Sequence, residues 1–154
     1  MARTAFSDTF ARLYQPEPFR VFLDRSYAAG GTMDNDLRNG TVHWMLAVNG
    51  SEPVGYAKLT PLRAPAPDPA PRAVELQQLY VSREWQGKGV APHLMEWGLG
   101  AAAAATATEI YLTVFDHNTR AKRFYTRYGF IEVGRCTFTL GDRIDDDRIW
   151  MREV

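Results

Sequence analysis

The sequence predicts an α/β fold, in which a mixed sheet carries helices on its faces. Two observations predict it. The second half reads strand, glycine turn, helix, strand, helix, strand, strand. Between those strands lie two helix candidates, an Ala-, Leu- and Met-rich one from Val90 to Thr106 and a second from Thr119 to Tyr128. A chain of 154 residues is the length of one domain, so residues 1–154 are expected to fold as one unit.

Near the N-terminus, Thr9 to Tyr14 reads as helix, and the prolines of Gln15-Pro16-Glu17-Pro18 suit a break and a new helix start. Phe19, Phe22, Leu23 and Tyr27 recur at helical spacing until Gly30-Gly31 stops the pattern. His43 to Val48 reads as a strand, Asn49-Gly50 as a tight turn and Pro53 to Leu62 as the hairpin partner. Residues 61–73 carry five prolines, which exclude regular helix and central strand and leave a stiff surface loop. Val74 to Val81 is strand-like, and Ile110 to Phe115 alternates in β-branched and aromatic residues. Gly129 follows the second helix where a left-handed cap belongs. Phe130 to Leu140 and Ile149 to Val154 finish the chain as paired strands around Gly141-Asp142, and the Asp145-Asp146-Asp147 run reads as a solvated turn.

Composition narrows the function classes. Lysine plus arginine and aspartate plus glutamate are both 18, so no long-range positive field marks a dedicated nucleic-acid binder. Cys136 is the only cysteine, which rules out an intramolecular disulfide, and it reads as a small buried apolar residue rather than a nucleophile. The first thirty residues have no signal-peptide core, and no run approaches the roughly 20 apolar residues of a membrane span. The expectation is a cytoplasmic protein with neither nucleic acid nor membrane as partner. No His/Cys/Asp/Glu group has metal spacing, so no metal is expected.

Gln86-Gly87-Lys88-Gly89-Val90-Ala91 lies between a strand and a helix. Glycines let the backbone turn tightly and approach a ligand closely. The first N–H groups of the next helix have no intrahelical partners, and the helix dipole favours negative charge there. The segment is thus either a pyrophosphate cradle, with Lys88 adding positive charge, or a plain tight turn. The spacing of a P-loop is absent, and Pro92 breaks G-x-G-x-x-G.

Gln86 to Ala91 resembles the Q/R-x-x-G-x-G/A signature of GNAT acetyltransferases. Asn118-x-x-Ala121-x-x-Phe124-Tyr125-x-x-x-Gly129-Phe130 is similar to the second signature of that family. Leu79-Tyr80-Val81 stands five residues ahead of Gln86, where family members hydrogen-bond the pantetheine arm. The resemblance spans roughly residues 5–154 and looks closest to polyamine acetyltransferases of the PaiA type. It implies the GNAT fold, a twisted and mostly antiparallel mixed sheet with helices on both faces. It also implies acetyl-CoA as cosubstrate, held by Leu79, Tyr80, Val81, Gln86, Gly87, Lys88, Gly89, Val90, Ala91, Asn118 and Tyr125. The family usually opens with a strand ahead of the segment matching Arg3 to Tyr14, and this sequence lacks it. Either the start is shortened or the N-terminus lies upstream. An open sheet edge is expected, which a second copy could cover as a homodimer.

Acetyl transfer to an amine needs a neutral amine, a polarised thioester carbonyl, a stabilised oxyanion and a protonated leaving thiolate. The resemblance implies direct attack, with Tyr125 as proton donor to the sulfur and a backbone N–H near Leu79 or Tyr80 polarising the carbonyl. A core aromatic is the competing reading of Tyr125. Asn118 can cap its helix, and the resemblance adds contact with the CoA arm. Glu75, six residues before Val81 and so on the same strand face, is the candidate base by resemblance to the histone-acetylating branch. An ordinary edge carboxylate is its equal alternative. Asp116 and His117 are further base candidates, ahead of His43 and His93. The acceptor is expected to be a small-molecule primary amine, polyamine-like if Asp24, Asp34, Asp36, Asp142, Asp145, Asp146 and Asp147 gather around it. A peptide acceptor and a CoA-binding module without turnover remain open.

Overall fold

A computed structural model describes all of residues 1–154. Helices α1 (Ala2–Phe10), α2 (Pro16–Tyr27) and α3 (Thr32–Leu37) precede strands β1 (His43–Asn49), β2 (Glu52–Pro61) and β3 (Ala73–Val81). Then come α4 (Val90–Ala104), β4 (Glu109–Phe115), α5 (Thr119–Arg127), β5 (Ile131–Leu140) and β6 (Arg143–Glu153). One sheet runs in the order β1-β2-β3-β4-β6-β5. Every neighbouring pair is antiparallel except β3 and β4, which are parallel. This is the mixed sheet that the order of elements predicted, and it is mostly antiparallel as the resemblance implied.

No strand precedes α1, so β1 forms one edge of the sheet. Its Met45, Leu46 and Val48 are exposed. The first helix begins at Ala2 rather than Thr9, because its Ala5 and Phe6 are buried and Phe6 packs with Phe19, Leu23 and Leu140.

Each face of the sheet has its own core. On one, Leu94 and Met95 of α4 and Phe124 and Tyr125 of α5 pack on Ala57, Leu59, Leu76, Ile110, Leu112 and Trp150. On the other, α1 and α2 close over Leu140, Phe138 and Tyr80. Burying each large aliphatic or aromatic side chain stabilises by about 1.5–3 kcal/mol.

Two irregularities decide which strand residues reach which face. In the first, Lys58 pairs with Gln78 but Leu59 pairs with Leu76, so Gln77 is an extra residue in β3. Such a bulge shifts the alternation by one. Leu79 and Val81 therefore face α4 with Leu76, while Glu75 looks to the α1–α2 face with Gln78 and Tyr80. The expected sharing of one face by Glu75 and Val81 is corrected by this bulge.

The second is the hairpin from β5 to β6. Leu140 pairs directly with Arg143, and Gly141 takes φ +64 at the first central position of a two-residue turn. A Cβ on Gly141 would lie 2.6 Å from the Pro18 Cβ, so the turn also needs glycine to dock on α2. The aspartate run is consequently strand, not turn. Asp145 is buried, held by Arg143 at 2.6 Å and by the Tyr14 hydroxyl.

A buried ion cluster ties α3 to the sheet. Asp36 accepts two bonds from Arg63 at 2.8 and 2.9 Å and pairs with Lys58, whose side chain is 3% exposed. The hydrogen bonds from Arg63 hold the Asp36 carboxyl down at about 2, against burial that raises it. Asp36→Asn leaves Lys58 buried without its anion and is expected to cost about 3–5 kcal/mol in urea unfolding. A loss under about 1 kcal/mol would show that the cluster is not integral. Because the folded carboxyl titrates below its unfolded value, this stabilisation is present above about pH 4 and fades as pH falls through about 2.

Candidate active site

β3 and β4 pair only from Ala73–Glu109 to Glu75–Tyr111, and then diverge. From Leu76 onward the β4-facing edge of β3 has no strand beside it. The gap opens a cleft of about 1290 Å³ walled by Leu76 to Val81 on one side and Thr113 to Phe115 on the other. The cleft runs through the sheet: Tyr125 and Phe124 line it from the α5 side, and Ala5, Thr9 and Phe10 from the α1 side.

One end of the cleft is the N-terminus of α4. Gly89 adopts φ +86 as its N-cap, a left-handed conformation in which non-glycine residues are strained. No side chain caps this helix, and its first turn carries no acid. Pro92 has no N–H, which costs nothing in a first turn. The N–H groups of Val90 and Ala91 have no partner four residues back, because the first bond of the helix runs from His93 N to Gly89 O at 3.3 Å. These donors and the positive end of the helix dipole form an anion cradle beside Gly87, Gly89, Ala91 and Gln86.

Arginines line the cleft it opens into. Arg83, Arg120, Arg123 and Arg127 all line the cleft, with Arg12 across it. Arg120 donates to the Gln86 Oε1 at 2.5 Å, and the Gln86 Nε2 donates to the Val81 carbonyl at 3.1 Å, so Gln86 braces the cradle. These cations were not singled out from the sequence, although Arg120, Arg123 and Arg127 are spaced to share one helix face. Lys88 lies elsewhere, with its Nζ 4.9 Å from the Trp85 ring centre, and is not a lining residue. Val90 is likewise not among the lining residues and packs into the core.

Tyr125 meets the cleft from the last turn of α5. Its ring lies 5.5 Å from Phe124 and 5.9 Å from Phe130, and burial pushes its hydroxyl up to about 12. Asn118 lines the cleft too, and its Oδ1 caps α5 by accepting from Ala121 N at 3.1 Å. Leu79, Tyr80 and Val81 are all at the wall.

The base candidates fare differently. Glu75 is buried, lies outside the cleft lining, and accepts from the backbone N–H groups of Arg63 and Ala64, both at 2.8 Å. It anchors the proline-rich loop. Asp116 accepts two bonds from Arg148 at 2.8 Å and one from Lys122, which hold its carboxyl well below the usual range. His117 is exposed, with its ring 5.4 Å from Phe115. His93 Nδ1 lies 2.8 Å from Gly89 O, and His43 starts the edge strand. No group of three or more His, Cys, Asp or Glu is arranged to hold a metal ion.

Comparison with known proteins agrees with this geometry. The acetyltransferase (GNAT) family model matches residues 3–130. An N-acetyltransferase of Lactobacillus delbrueckii subsp. lactis is 28% identical over 142 residues, 92% of this chain and 82% of that protein. One from Mycobacterium bovis is 40% identical over 83 residues, 54% of this chain and 53% of the relative, so that match spans about half the mycobacterial protein. Among solved structures, the PaiA N-acetyltransferase of Thermoplasma acidophilum in complex with coenzyme A superposes with a TM-score of 0.73 at 18% identity. The match covers 99% of this chain and 88% of the other. The chain belongs to the acetyltransferase (GNAT) family and is an acetyl-CoA-dependent N-acetyltransferase of that type.

Proposed function

We propose that the chain moves the acetyl group of acetyl-CoA onto the primary amine of a small molecule by direct attack, in the cytoplasm, with residues 1–154 folding as a single catalytic domain. The observation that carries this reading is the cleft through the sheet, with an uncapped helix N-terminus at one end and Tyr125 along its wall. When bound, acetyl-CoA supplies the activated thioester. The amides at Val90 and Ala91 with Arg83 and Arg120 hold its phosphates, and the free edge of β3 from Leu79 to Val81 hydrogen-bonds its amide-bearing arm. A backbone N–H on that edge polarises the carbonyl. The amine attacks in its neutral form, Tyr125 gives its proton to the sulfur as the C–S bond breaks, and the proton released from the amine nitrogen passes to water in the open cleft and so back to Tyr125. Cys136 is not a cleft-lining residue, which fits a route without an acyl-enzyme. The acceptor enters from the α1–α2 side, where Thr9 and Phe10 border the opening.

Thiol release from acetyl-CoA, measured with a panel of primary amines and alanyl peptides, tests this reading. Release well above the amine-free rate with at least one small amine is expected. Binding of acetyl-CoA with no release from any acceptor would identify a binding module instead. Faster turnover of the peptides would move the acceptor class to protein N-termini.

A further inference from the structure

None of the aspartates that the sequence offered for acceptor recognition lines the cleft. Asp24 pairs with Arg3 and Arg20, Asp34 with Arg38, and Asp36 with Lys58 and Arg63. Asp142 and Asp146 are exposed near the hairpin end, and Asp147 is half-buried. Asp145 reaches the cleft indirectly, through the turn between α1 and α2.

That turn carries part of the acceptor-side wall. Thr9 and Phe10 end α1, a short 3-10 turn spans Ala11–Leu13 with Arg12 in the cleft lining, and Tyr14 is extended before α2 begins at Pro16. Two hydrogen bonds tie residues 10–15 to the sheet, and both end at the start of β6. The Tyr14 hydroxyl donates to Asp145 Oδ2, and Arg143 Nη1 donates to the Leu13 carbonyl at 2.7 Å. Arg143 closes the triangle, with its Nε donating to Asp145 Oδ1 at 2.6 Å and its guanidinium 5.4 Å from the Tyr14 ring centre. The Asp145 side chain is 3% exposed, so its oxygens depend on these donors. The base of the triangle is fixed independently: Phe138, opposite Asp145, packs in the α1–α2 core, and Gly141 docks on Pro18. The Tyr14 ring is held by stacking on Phe19 at 5.7 Å. Packing therefore places the ring, and the hydroxyl supplies the link to β6.

We propose that Tyr14 is a positioning residue for acceptor use: through Asp145 and Arg143 it fixes the turn that carries Phe10 and Arg12, and so sets the acceptor-side wall of the cleft. This rests on the acetyl-transfer reading above. Tyr14 does not itself line the cleft, and its effect passes through Phe10 and Arg12, which do. The link lies on the sheet face opposite α4, so it bears on the acceptor and leaves the phosphate cradle alone.

Tyr14→Phe keeps the stacking ring and removes only the link. For the amine that the wild type turns over fastest, KM is expected to rise about tenfold with kcat within about threefold, while acetyl-CoA affinity by calorimetry stays within about twofold. Hydrogen exchange read by mass spectrometry should quicken across residues 9–15 and stay unchanged in α4. Adding Asp145→Asn to Tyr14→Phe should raise KM no further than the worse single variant does, as for groups that act through one contact. A lower melting temperature with acceptor KM unchanged would make the link purely structural and overturn the assignment. Equal losses of acceptor and acetyl-CoA binding would overturn it too. Should no amine release CoA from a wild type that binds acetyl-CoA, the acetyl-transfer reading fails by itself. Hydrogen exchange in the CoA complex then decides the role of Tyr14: quickening confined to residues 9–15 supports it, and unchanged or chain-wide exchange rejects it.

Discussion

Tyr125→Phe is expected to lower kcat for acetyl transfer by about 100- to 1000-fold while leaving acetyl-CoA affinity within about threefold. The ring already sits in an aromatic pocket with Phe124 at 5.5 Å and Phe130 at 5.9 Å, so phenylalanine fills the same space. What it lacks is the proton. Burial raises the hydroxyl to about 12, so the phenol is fully protonated at neutral pH. The departing thiolate takes its proton from a donor already held in place, which water would otherwise have to enter the cleft to supply. The effect should therefore fall on kcat rather than on cosubstrate binding. Tyr125 causes little alkaline loss of activity below about pH 11, since its hydroxyl is half deprotonated only at about 12. Turnover within about twofold of wild type across the pH range would leave Tyr125 as a packing residue.

Legibility in the sequence differs from element to element. The α4 and α5 helices, their glycine boundaries and the order of the later strands are written in local spacing, which needs no knowledge of distant partners. The start of α1 was missed because Phe6 gains its apolar contacts only once α2 folds across it. The reach of β6 through Asp145 was hidden for a related reason. Its burial depends on Tyr14 and Arg143, and the former is 131 residues away in sequence. Glu75 illustrates the limit of alternation. Period-two counting put it with Val81, but the extra Gln77 is a feature of strand pairing, and it turns Glu75 toward Arg63 and Ala64. The cradle was legible because a left-handed turn before a helix demands glycine. The surrounding arginines were legible only in principle, since Arg120, Arg123 and Arg127 read equally well as a solvated helix face until β3 and β4 are seen to part.

Gly89→Glu should weaken acetyl-CoA binding at least 100-fold, and Gly89→Ala by about tenfold or less. The two variants separate conformation from charge. Gly89 holds φ +86, so any side chain meets the left-handed penalty of roughly 1–2 kcal/mol. Space is not the obstacle, because a Cβ there would meet nothing within 4 Å. Alanine therefore reports the backbone cost alone. Glutamate adds a carboxylate at the N-terminus of α4, where the dipole and the partnerless N–H groups favour an anion. The helix accepts that carboxylate as an internal substitute for the phosphates, and Arg83 and Arg120 are drawn to it as well. The fold is then retained, with a melting temperature close to that of Gly89→Ala, while the ligand meets an occupied and like-charged site. Calorimetric titration with acetyl-CoA distinguishes the outcomes. Equal losses in the two variants would make turn geometry the whole basis of binding. Undiminished affinity in Gly89→Glu would place the phosphates away from this helix, and would leave the arginine face of α5 as their anchor.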